Sequence, residues 1–165
     1  MNKVYIGIGS NVGDRLLNFK NAVELLVENE KINGLKISSI YETLPYGNIE
    51  QNNFYNAVLY FLTSLSLSEL FDFTKEIEKK VGRKKRQNWG PREIDLDILM
   101  YNDLVYSNKS ISIPHKDLVN RDFALVPLLE LNKNLKHPES KIKLNSYLLN
   151  LADKYIISKF EQNIR

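Results

Sequence analysis

Apolar residues first cluster over positions 3–8, densely enough for a short buried strand, which ends in the turn-rich Gly9-Ser10-Asn11-Val12-Gly13-Asp14. Leu16, Phe19, Val23, Leu26 and Val27 then fall at helical spacing on one face, with Asp14 placed to cap the start. Asn33-Gly34 breaks the chain, and residues 35–41 alternate as a second strand. Residues 42–53, which include Pro45 and Gly47, read as a loop, and residues 56–63 are rich in strand formers. Ser66 followed by Glu69 is a capping-box pattern opening a second helix, whose core stripe would be Leu67, Leu70, Phe71, Thr74, Ile77 and Val81. After Gly82 a basic loop runs into a strand at Asp95-Leu96-Asp97-Ile98-Leu99-Met100-Tyr101, and Asn102-Asp103 turns the chain into Leu104-Val105-Tyr106, with residues 111–113 able to pair again. Beyond Pro114 the pattern predicts a short helix over 123–131, interrupted near Pro127, and a terminal one over 144–151.

This β-α-β-β-α-β order is the split βαβ arrangement of ferredoxin-like α+β folds. It predicts an antiparallel sheet with both main helices packed against it and a C-terminal extension, all within one domain, 1–165. A doubly wound parallel sheet would need a crossover helix between 35–41 and 56–63, and the segment between them is unsuited to one. No internal repeat or low-complexity tract interrupts the chain.

Composition narrows the chemistry. The chain has no cysteine, so disulfides and thiolate metal sites are excluded, and a divalent ion would need oxygen or imidazole ligands; the same composition suits a reducing cytoplasm. No apolar run approaches the roughly 20 residues that span a bilayer, and residues 1–7 are too short for a signal segment, so a soluble cytoplasmic chain is expected. The net charge of +3 is too small for an extended nucleic-acid surface, yet Arg83, Lys84, Lys85, Arg86 and Arg92 concentrate positive charge in one stretch. The partner this implies is a compact anion. A single domain without heptads makes a monomer the expectation.

The most informative run is Trp89-Gly90-Pro91-Arg92-Glu93-Ile94-Asp95-Leu96-Asp97-Ile98-Leu99-Met100-Tyr101. On a strand, Asp95 and Asp97 point to one face roughly 6.5 to 7 Å apart and can converge on one cation. A solvated strand face is the alternative, but the same face would continue with Leu99 and Tyr101, and neighbouring like charges repel unless a cation relieves them. Magnesium fits, because it takes one or two carboxylates and leaves its other positions to water and phosphate oxygens. Arg83 and Arg92 each sit beside a backbone punctuator, Gly82 and Pro91, and present the planar fork that suits phosphate. Trp89, in the same loop, is placed to stack on a planar ligand. Gly7, Gly9 and Gly13 form no dinucleotide fingerprint, and a tight strand-to-helix turn is the first reading of that segment. His115, Asn56 and Phe54 are each weak signals alone: a packed histidine, a turn residue and a core ring.

Taken in order, Gly7-Ile8-Gly9-Ser10-Asn11, Tyr41-Glu42-Thr43-Leu44-Pro45-Tyr46-Gly47, Phe54-Tyr55-Asn56-Ala57, Gly82-Arg83, Trp89-Gly90-Pro91-Arg92 with Asp95-Leu96-Asp97, Pro114-His115 and Asn120-Arg121-Asp122-Phe123 resemble the 6-hydroxymethyl-7,8-dihydropterin pyrophosphokinases of folate biosynthesis. The resemblance implies a ferredoxin-like α+β fold, ATP and 6-hydroxymethyl-7,8-dihydropterin as substrates, and AMP and the pterin diphosphate as products. It implies Asp95 and Asp97 as holders of two Mg2+ ions, and Arg83 and Arg92 as phosphate contacts. By the same resemblance Glu78, Lys85, Trp89, Ile98, Ser112, His115 and Arg121 belong to the ATP side. Phe54 and Phe123 would sandwich the pterin, Asn56 would read its polar edge, and Thr43, Leu44 and Tyr46 would complete the pocket. The chain departs from the family in a basic loop one residue shorter than usual, a lysine where a second loop arginine is common, Asn88 before the tryptophan and Ser110 where an arginine can occur. Two other classes share parts of the pattern. An RNA-recognition domain uses the same sheet, but no K/R-G-F/Y-x-F-like aromatic strand occurs and the aspartate pair would repel phosphate unless metal intervenes; a two-metal nucleotidyl transferase or cyclase also pairs carboxylates.

Overall fold

The computed structural model describes residues 1–47, 50–86 and 90–160. Its centre is β1 (Asn2–Ser10), whose alternate residues Val4, Ile6 and Ile8 are almost fully buried. Because side chains alternate across a strand, β1 has a second, independent face carrying Tyr5, Gly7 and Gly9. Helix α1 (Arg15–Val27) covers the first face, capped by Asp14, whose carboxylate accepts the Leu17 N–H at 3.0 Å. Its buried stripe is Phe19, Ala22, Val23 and Leu26. Val27, expected in that stripe, is 58% exposed: the 3.6-residue period turns it away at the last residue of the helix.

The expected strand over 35–41 is two strands, β2 (Ile32–Ile37) and β3 (Ile40–Thr43), both antiparallel to β4 (Phe54–Thr63). Ser38 and Ser39 explain the break. Ser38 Oγ accepts the Val58 N–H at 2.9 Å, substituting a side chain for a ladder carbonyl, and Ser39 donates both its N–H and its hydroxyl to Glu130. Helix α2 (Leu67–Val81) has the full capping box predicted, with Ser66 and Glu69 bonded reciprocally, and ends at Gly82, whose φ of 106° closes the helix in the left-handed region. Its buried residues, Leu70, Thr74, Ile77 and Glu78, include one carboxylate, which matters below.

Strand β5 (Asp95–Tyr101) pairs antiparallel with β1, so the sheet order is β5-β1-β4-β3, with β2 also on β4. The ferredoxin-like arrangement is therefore present, and a parallel sheet is not. Three features differ from the sequence reading. The pair of β6 (Tyr106–Ser107) and β7 (Ser112–Ile113) forms a separate small ribbon, leaving Leu104 and Val105 outside it. Helix α3 (Asp122–Leu131) runs through Pro127 without interruption; tertiary packing of Ala124, Leu125 and Leu128 on the second sheet face outweighs the missing proline N–H. A sixth member of the main sheet, β8 (Ile156–Phe160), lies antiparallel to β3 and had no expected counterpart.

The C-terminal extension is a structural layer. The 3-10 turn Leu118–Asn120, α3 and α4 (Leu144–Leu149) bury Tyr5, Val58, Leu99 and Met100 on the face opposite α1 and α2. The sheet is thus covered on both sides except where β1 carries Gly7 and Gly9. Losing the Ser66 cap should cost roughly 0.5–2 kcal/mol; Ser66→Ala is expected to lower the urea midpoint by a matching amount while leaving the denaturant slope unchanged.

Candidate active site

Register builds the site. Gly9 lies between Asn56 on β4 and Asp95 on β5, and Gly7 lies between Val58 and Asp97. All these residues share the second sheet face, so two carboxylates and one amide flank a central strand without side chains. A Cβ on Gly9 would sit 2.7 Å from Asn56 Oδ1, which explains the glycine by close approach. The tight-turn reading of the glycine segment applies to Gly13, at φ 69°; Gly7 and Gly9 are strand residues and form the floor of a pocket.

The expectation that Tyr101 shares a face with Asp95, Asp97 and Leu99 is corrected by a β-bulge. Ile6 pairs with Ile98 but Tyr5 pairs with Met100, so one extra residue enters β5 and Tyr101 turns into the core with Val4. The bulge leaves the Leu99 carbonyl available to accept the His115 N–H at 2.9 Å. His115 Nδ1 accepts the Asp117 N–H at 3.2 Å, so the ring's Nε2 carries the proton and faces Asp97 Oδ2 at 3.8 Å.

A buried ion network joins α2 to β5. Glu78 accepts the Leu96 N–H and the Lys75 ammonium on one oxygen, both at 2.8 Å, and meets Arg83 with the other at 2.7 Å. Arg83 donates to Asp95 Oδ1 at 2.7 Å, and Arg92 Nε lies 3.3 Å from Asp95 Oδ2. Burial alone would raise the Asp95 carboxyl, but Arg92 and Arg83 outweigh it and hold Asp95 below the ordinary carboxylate range. Asp97 goes the other way, pushed up by burial and then by the charge of Asp95, with His115 offsetting only part. Glu78 is also raised, mainly by burial, against the pull of Lys75. His115 is lowered, because burial disfavours the imidazolium more than Asp97 favours it.

These residues fit a divalent cation bound together with phosphate. The Asp97 side chain is 36% exposed and shares a sheet face with Asp95, so a cation held between them would offset their mutual repulsion. Among the described residues no cluster of three or more acidic or imidazole groups could cage an ion alone. A hard cation would therefore complete its shell with water and ligand oxygens, the magnesium habit.

Three cavities meet here. A polar cleft of about 680 Å³ is lined by Glu78, Arg83, Lys85, Arg92, Asp95, Asp97, His115 and Arg121. A second, of about 60 Å³, is lined by Thr43, Leu44, Tyr46, Phe54, Asn56 and Phe123. It shares Arg92, Asp95, Asp97 and Arg121 with the cleft. The third, of about 440 Å³, contains Phe71, Ile98 and Ser112 and joins the cleft at Lys75, Asp97, His115 and Lys116. In the small cavity Asn56 Nδ2 donates to Thr43 Oγ1 at 2.7 Å, the Arg92 guanidinium lies 5.1 Å from the Phe54 ring centre, and that of Arg121 lies 4.6 Å from Tyr46. All the expected site residues thus come together except Trp89, which with Asn88 lies outside the described residues.

The basic loop divides its labour. Arg86 is bidentate on Glu93, at 2.8 and 2.7 Å, and also reaches the Pro91 carbonyl, whereas Lys84 and Lys85 have exposed side chains lining the cleft. Sequence reasoning missed Lys75, one turn before Glu78, and the organising role of Asn11. Asn11 exchanges backbone and side-chain hydrogen bonds with Arg92 and donates to the side chain of Gln51 and the carbonyl of Asn52, so one 2%-exposed amide ties the residue 42–53 loop to the arginine loop.

A family model described as 7,8-dihydro-6-hydroxymethylpterin-pyrophosphokinase (HPPK) matches residues 5–133. The chain belongs to this family. The 2-amino-4-hydroxy-6-hydroxymethyldihydropteridine pyrophosphokinase of Aquifex aeolicus is 49% identical over 138 residues, covering 84% of this chain and 85% of that protein. The bifunctional protein FolKE of Lactococcus lactis is 40% identical over 83% of this chain, which spans 40% of its length. The fold matches that of the Plasmodium falciparum HPPK-DHPS crystal structure with a TM-score of 0.70 at 15% identity, over 88% of this chain and 44% of that one. The pyrophosphokinase match ends at residue 133, although α4 and β8 lie beyond it.

Two outcomes test this architecture. Gly9→Ala should displace Asn56 and weaken pterin binding about tenfold or more while nucleotide affinity changes little; titration of each ligand separately checks it. Glu93 is held down to about 2 by the Arg86 hydrogen bonds, against burial, from an ordinary 4.5. A depressed folded pKa adds stability above the unfolded value and loses it as pH falls through the folded one. The stability gap between the native chain and Glu93→Gln should therefore be full at pH 7 and close as pH drops from about 4.5 to about 2, read from urea midpoints.

Proposed function

We propose that the chain transfers the diphosphate of ATP to the hydroxymethyl group of 6-hydroxymethyl-7,8-dihydropterin, giving AMP and the pterin diphosphate in folate biosynthesis, and does so with magnesium. One observation carries the reading: a basic polyphosphate-sized cleft and a small aromatic cavity meet on Arg92, Asp95, Asp97 and Arg121. Membership in the pyrophosphokinase family supports the reaction class.

A flat heterocycle needs aromatic area and a few fixed polar groups. Phe54 and Phe123 supply the first, while Asn56, oriented by Thr43, supplies an amide at the polar edge. The adenosine end would occupy the cavity with Ile98 and Ser112, and Lys85 would meet phosphate in the cleft because Arg86 is committed to Glu93. In the free chain Arg83 and Arg92 neutralise Asp95. On binding they would pair with phosphate oxygens, freeing Asp95 to join Asp97 as a cation ligand, so that no buried charge is stranded. Magnesium held by Asp95 and Asp97 would neutralise phosphate charge and lower the pKa of the pterin hydroxyl. The hydroxymethyl oxygen, aligned over Gly7 and Gly9, would lose its proton to water as it attacks the β-phosphorus and the bond from that phosphorus to the α-phosphate oxygen breaks, while Arg83, Arg92 and Arg121 would stabilise the charge on departing AMP. His115, neutral and hydrogen-bonded through Nδ1, would offer its Nε2–H to a phosphate oxygen. The reading takes the chain as a cytoplasmic monomer that binds no membrane and, given its modest net charge, no extended nucleic acid. No helix among the described residues is long and apolar enough to cross a membrane.

The test is product identity and cation dependence. AMP should form in step with pterin consumption and stop in EDTA; ADP as product would sink the assignment. Asp97→Ala and Arg92→Ala should each lower the rate by about a thousandfold or more while thermal stability changes little, and near-native turnover by either would remove that residue from the site.

A further inference from the structure

Tyr155 lies 22 residues past the end of the family match at 133, in the link between α4 and β8. Yet its backbone and ring both join the pterin side of the site. The Asp122 carboxylate, 4% exposed at the first turn of α3, accepts the Tyr155 N–H at 2.9 Å and the Ile156 N–H at 3.0 Å through Oδ2, and the Phe123 N–H at 2.8 Å through Oδ1. From the other side, the Leu44 N–H donates to the Tyr155 carbonyl at 2.9 Å. One residue therefore pins the loop after β3 to the start of α3, the two segments that carry Tyr46 and Phe123.

The ring repeats the connection. Tyr155 lies 5.3 Å from Tyr46, tilted by 56°, and 5.8 Å from Phe123, nearly perpendicular at 89°; Tyr46 and Phe123 are themselves 6.1 Å apart, edge to face. Tyr46 and Phe123 line the small cavity whereas Tyr155 stands behind them. That cavity is about 60 Å³, far below the roughly 300 Å³ at the lower end of ligand pockets. A two-ring heterocycle entering from the cleft would fill the cavity against the aromatic wall, and what lies behind that wall decides how the rings settle.

We propose that Tyr155 is a positioning residue for pterin recognition, the back support that sets the angle and spacing of Tyr46 and Phe123. It acts through those rings and touches neither phosphate nor metal ligands. Edge-to-face packing is directional, so an aliphatic residue of similar bulk would fill the space without fixing the ring planes. A wall left free must be ordered by the ligand itself, which weakens binding.

The inference rests on the pterin pocket assigned above, and the experiment separates the two. Tyr155→Phe and Tyr155→Leu are compared with the unaltered chain in thermal midpoint, in KM for each substrate, and in binding of 6-hydroxymethylpterin and a non-hydrolysable ATP analogue with magnesium. The leucine variant should stay folded, bind the pterin about tenfold more weakly and keep nucleotide affinity within about twofold, while the phenylalanine variant matches the native chain. Unchanged pterin affinity in Tyr155→Leu, an equal loss for both ligands, or failure of Tyr155→Phe to rescue would each overturn it. No pterin binding by the unaltered chain would overturn the pocket assignment and the inference together.

Discussion

The register of β1 between β4 and β5 is the constraint on which the molecule turns. Side chains alternate with a period of two, so a slip of one residue would exchange the two faces of a strand completely. In the register observed, Val4, Ile6 and Ile8 enter the core beneath α1 and α2, and Gly7 and Gly9 open the opposite face. The same pairing sets Asn56 and Asp95 on either side of Gly9. The apolar core and the polar site are thus two consequences of one alignment. The apolar residues hold the register, because a slip of β1 would turn Ile6 and Ile8 out of the core and put Gly7 and Gly9 in their place.

The site's charges are balanced among themselves. Two acidic strand residues and a buried Glu78 face Lys75, Arg83, Arg92 and His115 across short distances. Desolvation penalises the three carboxylates, and Asp95 has two guanidinium partners, so the loss of one leaves it paired with the other. This explains why Asp95 and Asp97, two residues apart on one face, are shifted in opposite directions. Asp95 has two guanidiniums against it, whereas Asp97 is pushed up by burial and by the charge of Asp95, which His115, Lys75 and Arg121 offset only in part.

Loops on both sides of the site are held by single polar residues. Asn11 ties the segment at 51–52 to Arg92, and Asp122 ties Tyr155 and Ile156 to the start of α3. Each is nearly inaccessible to water, so its hydrogen bonds cannot be traded for solvent without cost. The C-terminal layer is accordingly part of the binding architecture: it seals the second face of the sheet and reaches back through β8 to the loop that lines the small cavity.

The sequence by itself determined the order of the main elements, the antiparallel sheet and which charged residues line the cleft, because those rest on local signals. The alternation around Asp95 and Asp97, the capping box at Ser66 and the Trp-Gly-Pro-Arg run are complete within a dozen residues. What only the tertiary structure decided depends on partners far away in the chain. The break at Ser38-Ser39 comes from Val58 and Glu130, and the continuity of α3 through Pro127 from its burial on the sheet. The bulge that turns Tyr101 inward is a matter of pairing with β1, and no residue pattern in β5 announces it. Strand β8 has a weak pattern of its own and exists because β3 offers it an edge, while Asp122 holds its first residue. Periodicity records which face of an element seeks the core; the contacts between elements record what that face meets, and they are made only when the chain closes on itself.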